Sequence, residues 1–318
     1  MLAVLSRTVG LDAMQETFIV DDPLPAERLR GLMATTNAQS LRHMSLQCLL
    51  LVLSFVALAA APMGPLKGAA LLVHGLCHLA FFGLLHESCH RTAFSRRSLN
   101  TLGGWIAALS QPMSPALMRA FHFEHHRHTH DVSHDPELAR LAFMLRWPRH
   151  LLWLGTLTGV HLLVARVGWT LFAALVPQGK PWTAVLPFVS PQARSQVAMQ
   201  ARILVAIHGG LIAAGCTIAP AMVWYYAGLM MGHAYLGTYT LCEHRGLPAS
   251  GSILDRTRSI NTTAFLRWLL WNMPYHAEHH AWPAVPWHAL PALHKEVRDH
   301  LPHKEHGVVM LQWRRGRD

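Results

Sequence analysis

FHFEHHRHTHDVSHD, running from Phe121 to Asp135, decides how this chain is read. Six of its fifteen residues are His, and His122, His125 and His126 stand at i, i+3 and i+4. On a helix that spacing puts three imidazoles on one face within about a turn. Such a face suits a metal ion. His128, six positions after His122, falls on the opposite face and is expected to be solvated. His130 lies nearer the ligand side and is followed by Asp131.

Two further groups repeat the theme. His86 and His90 are an i, i+4 pair, and His276, His279 and His280 copy the i, i+3, i+4 pattern, with Asn272 and Pro274 as helix start signals ahead of them. Together these are eight imidazoles. Zinc takes four ligands, and a six-coordinate iron that works on oxygen keeps a position open, so two metal ions are implied. Nitrogen ligation without thiolates is compatible with iron, copper or zinc. The five cysteines, Cys48, Cys77, Cys89, Cys216 and Cys242, show no CxxC and no paired spacing, which favours neither a disulfide framework nor a thiolate site.

The surroundings are membranous. Hydrophobic residues make up 52% of the chain and charged residues 14%, and the apolar ones fall in blocks long enough to cross a bilayer of about 30 Å. Spans are expected at about 46–62, 69–85, 203–219 and 221–241. Pro62, Gly64 and Pro65 turn the first pair, and Pro220 hinges the second. Residues 1–45 read as an N-terminal cytoplasmic segment, with a short amphipathic helix through Glu27, Arg28 and Arg30, and 46–318 as one membrane domain. No signal-peptide pattern precedes the first span. The stretch 99–117, broken by Gly103, Gly104, Pro112 and Pro115, reads as an interfacial or re-entrant piece. Residues 140–176, with Trp147, Trp153, His161, Arg166 and Trp169, suit helices at headgroup level, a spanning hairpin being the alternative.

Charge gives an independent check on sidedness. The formal net charge is +10, yet no nucleic-acid module is visible. Eight Arg lie between His86 and His150 and ten Lys or Arg after residue 244, whereas the outer turns hold only Lys67. By the positive-inside rule, the regions 86–150 and 244–318 that carry the histidine groups face the cytoplasm. The expected fold is therefore an all-α integral membrane protein, with four transmembrane helices and a cytoplasmic helical cap holding a His-ligated dimetal site.

HxxxH, HxxHH and a late HxxHH beside four apolar spans resemble the membrane fatty acid desaturase and hydroxylase superfamily. The segment NMPYHAEHHAWPAVPWHALPALH, Asn272 to His294, is similar to its bacterial branch. The resemblance implies two non-haem iron ions, oxygen as co-substrate, and a ninth ligand from the end of the fourth span, where His244 matches. It therefore gives His86, His90, His122, His125, His126, His244, His276, His279 and His280 as metal-binding and catalytic residues. It further implies an oxidoreductase that desaturates an acyl chain or lipid, with hydroxylation of a lipid or a small amino-acid-like metabolite as the alternative. The first group has three intervening residues where acyl-CoA desaturases have four, which argues against an acyl-CoA carrier. No flavin, nicotinamide, cytochrome or iron–sulfur signature is present, so electrons are expected from a separate small donor such as a ferredoxin. The expected location is the bacterial inner membrane with the site on its cytoplasmic side.

A carboxylate adjoins a presumed ligand in every group: Glu87, Glu124, Glu243 and Glu278. Metal-bound His commonly gives its second N–H to a carboxylate, and neighbours on a helix point about 100° apart. Each Glu is thus expected to orient a ligand of another group, and Asp131 and Asn272 are further candidates for that work. His74, His78, His208 and His233 lie inside expected spans; hydrogen bonds to neighbouring helices are the simple expectation, and lining a substrate passage the alternative. Two competing classes exist. His86-Glu87-Ser88-Cys89-His90 is a literal HExxH, the zinc protease motif, but it leaves both HxxHH groups unexplained. A metal transporter would want acidic or His ligands at membrane depth; His74, His78, His208 and His233 lie within the expected spans, but no Asp or Glu does.

Overall fold

The computed structural model describes residues 24–131, 133–139, 148–303 and 306–307. The expectations for residues 140–147, Trp147 among them, fall outside these residues. In chain order, α1 (Ala26–Leu32) leads to α2 (Ala38–Ala60) and α3 (Pro65–His90), and α4 (Arg97–Ser110) and α5 (Pro115–Arg127) then carry the chain across the end of α3. After α6 (Pro136–Ala139) come α7 (Arg149–Leu157), α8 (Val160–Leu175) and α9 (Lys180–Val185), followed by the long α10 (Arg194–Thr217) and α11 (Met222–His244). Four short helices close the chain: α12 (Ile253–Arg256), α13 (Ala264–Leu269), α14 (His276–Ala281) and α15 (Leu290–Val297). A single parallel bridge, Ile260–Asn261 with His306–Gly307, is the only strand pairing among the described residues.

Three described helices are long and apolar enough to cross a membrane: α2, α3 and α10. The expected fourth, α11, has the length at 23 residues, but Trp224, Tyr225, Tyr226, His233 and Tyr235 dilute its apolar character. The long helices also overrun the expected limits. α2 begins at Ala38 and α10 at Arg194, while α3 continues through His90 and α11 through His244. Helical geometry persists past the apolar block because nothing breaks it until Arg91 adopts a left-handed conformation, with φ of 65°. The first histidine pair and His244 are thereby fixed to rigid helix ends. Outward faces of α2 and α10 carry exposed Leu49, Val52, Leu53, Val56, Ile203 and Ile212, an inversion of soluble packing that suits lipid.

Inside the bundle, α3 and α11 are packed closest. Gly228 and Gly232 form a GxxxG on α11, where an added Cβ would stand 2.2 Å from the His74 ring and 2.8 Å from His78 Cβ. Only glycine permits that approach. Phe81, Phe82, Leu84 and Leu85 of α3 form one core with Leu117 and Met118 of α5, Leu162 of α8 and Leu236 of α11. A second, smaller core joins Leu32 of α1 to Ile253, Trp282, Leu290 and Leu293, and Arg28 of α1 pairs with Glu296 of α15. The stretch read as interfacial becomes α4, then a turn through Gln111 to Ser114, then α5, whose first turn is capped by the Ser114 hydroxyl accepting from Leu117 N–H. Pro112 and Pro115 end one helix and open the next.

Candidate metal centre

Three helix ends and one short helix meet at one place. α3 brings His86 and His90, α5 brings His122, His125 and His126, α11 brings His244, and α14 brings His276, His279 and His280. The nine sort into two sets whose ring nitrogens lie within 4.8 Å of one another: His86, His90, His122, His126 and His279 in one, His125, His244, His276 and His280 in the other. The sets cut across the sequence groups. His122 and His126, four residues apart, stay together, as do His276 and His280, while the rings of His125 and His279 point away from these pairs around their helices and into the other set.

What holds the second ring nitrogen of each His decides its chemistry. Nδ1 of His125 lies 3.0 Å from both oxygens of Asp135, Nδ1 of His244 lies 3.0 Å from the carbonyl of Arg256, and Nδ1 of His276 lies 3.3 Å from Glu243. Nδ1 of His86 is 3.2 Å from Glu87, and Nδ1 of His280 is 3.2 Å from the Thr129 hydroxyl. A carbonyl and an ionised carboxylate only accept hydrogen bonds, so Nδ1 of His244 and of His125 carries a proton, and Nε2 of His244 presents a lone pair. His244 Nε2 and His276 Nε2 face each other at 2.8 Å. Nε2 atoms of His86, His90 and His280 are buried without a hydrogen-bond partner. Lone pairs converging in a dry site repel unless a cation sits among them, and the donor set fits transition-metal ions.

Protonation agrees. Burial, followed by the neighbouring imidazoles, pushes His122, His126, His276 and His280 well below the usual histidine range, leaving neutral rings as metal ligation requires. His125 is the exception. Burial works against its charge too, but Asp135 and Glu137 outweigh it and push its pKa up to about 9.

The residues expected to orient the ligands divide. Glu243 reaches across to His276, a ligand of another group, as helix geometry suggested. Glu87 does not: it turns back to its own neighbour His86 while its other oxygen accepts from Thr92 Oγ1 at 2.6 Å and from Trp287 N at 3.2 Å. That triple commitment leaves it unlike the water-facing base of a zinc protease, and His86 and His90 share their set with three further His from the other groups. Glu124 lies away from all nine, against Arg127 and His128 at the surface. Asp131 is also directed outward, 2.8 Å from His134 Nδ1. Glu278 is buried but pairs with Ser259 and His294, tying α14 to α15. Asn272 does not cap α14, which starts after Tyr275; in the left-handed region at φ of 57°, its amide donates to the Trp287 carbonyl. His130 is held by the Pro248 carbonyl.

Asp135, Glu137, Thr129 and the Arg256 carbonyl do what Glu124 and Asp131 were expected to do. Asp135 closes the quoted stretch, and its signal was present: the turn after His128 and the following Pro136 fold the chain back so that the residue ten positions after His125 meets it. Beside the rings runs a narrow cavity walled by Phe82, Met118, Phe121, Leu162, Leu236 and Met273, with Arg166 at its edge.

A two-set histidine centre at the ends of long apolar helices defines a class of protein, and sequence comparison gives the family. The fatty acid desaturase family profile matches residues 61–312, a range containing all nine His, and the chain belongs to that family. It is also 41% identical over 51 residues to sphingolipid delta(4)-desaturase/C4-monooxygenase from Homo sapiens, and equally so to that from Mus musculus. Each match covers 15% of this chain and only 16% of the relative's length.

Proposed function

We propose that this protein is an oxygen-dependent di-iron desaturase of an acyl chain or lipid, working at the cytoplasmic face of a bacterial inner membrane, with α11 as a fourth crossing. The observation that carries this reading is the division of nine imidazoles into sets of five and four. His86, His90, His122, His126 and His279 would hold one iron, and His125, His244, His276 and His280 the other. The bound metals supply the oxygen-activating power needed to remove hydrogen from an unactivated C–H bond. The chain's own residues do the rest. Asp135 and the Arg256 carbonyl hold Nδ1 of His125 and of His244, and the walls of Phe82, Leu162 and Leu236 exclude water and align an apolar chain against the ligand face.

Hydroxylation of the same C–H bond is the second reading, and one observation favours it: the mammalian relatives carry both desaturase and monooxygenase activities in their names. Reductant would come from a separate acidic redox protein. Arg96 and Arg97 are exposed beside the first pair, and the Arg119 guanidinium sits 4.1 Å over the Phe123 ring, itself 5.2 Å from His90. The deciding experiment compares the lipids and small metabolites of cells with and without active protein, alongside the metal content of the purified chain. Two irons per chain and new acyl unsaturation are expected. Unchanged acyl chains beside an altered polar metabolite would refute the lipid assignment, and stoichiometric zinc would refute the iron.

A further inference from the structure

Away from the metal centre, α7, α8 and α11 enclose an apolar groove of about 620 Å³, walled by Leu151, Leu154, Val160, Leu163 and Met230. Its one basic group is His233 of α11, which is 1% exposed. Nδ1 of His233 lies 2.8 Å from the Leu229 carbonyl. A carbonyl only accepts, so Nδ1 carries the proton and Nε2 presents a lone pair. That Nε2 is buried and has no hydrogen-bond partner. A buried acceptor at the wall of an apolar groove without a donor costs free energy, which a ligand bringing its own donor would recover. The site is also rigid. Gly159, at the α7–α8 turn, is so close to the His233 carbonyl that an added Cβ would stand 1.7 Å from the oxygen.

Position ties the groove to the reaction. The cavity beside the metal ligands is walled by Leu162 of α8 and Leu236 of α11, and the groove by Leu163 and His233 of the same two helices. A second apolar cavity, of about 460 Å³, shares Leu163 and Met230 with the groove and extends it toward α10. Along α11, His233 precedes His244 by about 16 Å at 1.5 Å per residue. The groove and the cavity thus occupy neighbouring positions along the same two helices.

We infer that this groove is a binding subsite for a long-chain lipid carrying a hydroxyl or amide N–H, which donates to His233 Nε2 while the chain lies against Leu163 and Met230. Treating that lipid as the substrate rests on the desaturase reading; the binding itself does not. The test is made on the purified full-length chain in detergent, with no turnover, using three probes of equal chain length: a 3-hydroxy fatty acid, an N-acyl amino alcohol and the unsubstituted fatty acid. One or both donor-bearing probes should bind about tenfold more tightly than the unsubstituted acid, the gain of one good hydrogen bond. Which of the two is preferred identifies the donor. His233→Phe should abolish that preference and leave affinity for the unsubstituted acid in place, His233→Gln should retain part of it, and Leu163→Trp should weaken all three. Equal affinities in the native chain, as when a water already satisfies His233, would overturn the inference, as would a preference that survives His233→Phe. Since iron content and turnover are not read, failure here leaves the desaturase assignment to its own experiment.

Discussion

α3 carries the pattern HxxxH twice, as His74-Gly75-Leu76-Cys77-His78 at membrane depth and as His86-Glu87-Ser88-Cys89-His90 at its end, and the two do different work. In the first, the Nε2 atoms of His74 and His78 lie 3.2 Å apart, much as those of His122 and His126 lie 2.9 Å apart in the metal centre. The difference is in the outer partners. His74 Nδ1 meets the Ser54 hydroxyl at 2.8 Å, and His78 Nδ1 meets the Ser110 hydroxyl at 3.1 Å. A hydroxyl can donate or accept, so a Ser–His–His–Ser chain can assign one proton to every contact and needs no metal. Around the centre, the partners of His125 and His244 are a carboxylate and a carbonyl, which only accept and so hold the Nδ1 proton on the outer side of each ring. Spacing alone thus names a helix face; the acceptor-only partners make it a metal site.

The largest effect should come from breaking the centre directly. His126→Ala or His279→Ala should lower iron content and abolish turnover, because His126 Nε2 and His279 Nε2 lie 3.1 Å apart inside one set. His78→Ala should keep its iron, as should His128→Ala. Metal analysis of the four purified variants checks this, and full iron loading in the His126 variant would sink the ligand assignment.

A finer cut changes only the partner. Asp135→Asn replaces an acceptor-only group with one that can donate, so His125 loses the constraint on its tautomer. Removal of such a partner commonly lowers metal affinity by about 10–100-fold, and competition with a chelator should show a loss of that order. The same substitution logic at Ser110→Ala strips the membrane-depth chain of one hydroxyl. A cost of about 1–3 kcal/mol in stability is expected there, the usual penalty for an unpaired buried polar group, with iron content unchanged. A matching loss of iron in the Ser110 variant would show the two HxxxH units to be coupled.

Much of this was legible in the sequence, for stated reasons. The i, i+3, i+4 spacing survives folding because it is a property of one helix, so His122, His125 and His126 emerge on α5 as read. Which imidazoles share an ion did not, since the split of His125 from His126 depends on how α5 and α14 meet. Carboxylate partners were half legible. Glu243 reaches His276 by the expected geometry, whereas Glu87 folds back to His86 because Thr92 and the Trp287 N–H hold its other oxygen from outside the helix. Asp135 was signalled by the turn before Pro136, whereas the Glu278 pair to His294 was hidden by the docking of α15. Span limits were misplaced wherever a polar helix end continues an apolar one, and α11 shows that a helix can be long and central while its aromatic and His content dilutes the apolar signal.

The smallest expected effect concerns electron supply. Arg91, Arg96 and Arg97 follow the first pair directly and are exposed, and Arg119, which donates to the Cys89 carbonyl, lies near enough to Arg91 and Arg97 for their charges to interact. A cluster of like charges kept together on the side where the ligands end raises the rate at which an acidic partner arrives. Anionic headgroups would value the same arginines, so salt separates the two roles. The Debye length falls from about 10 Å at 0.1 M to about 3 Å at 1 M, and steered docking weakens with it. With the donor limiting, turnover should drop as salt rises, and Arg96→Glu with Arg97→Glu should flatten that dependence without changing iron content. Turnover indifferent to salt under those conditions would assign the arginine face to lipid and not to an electron donor.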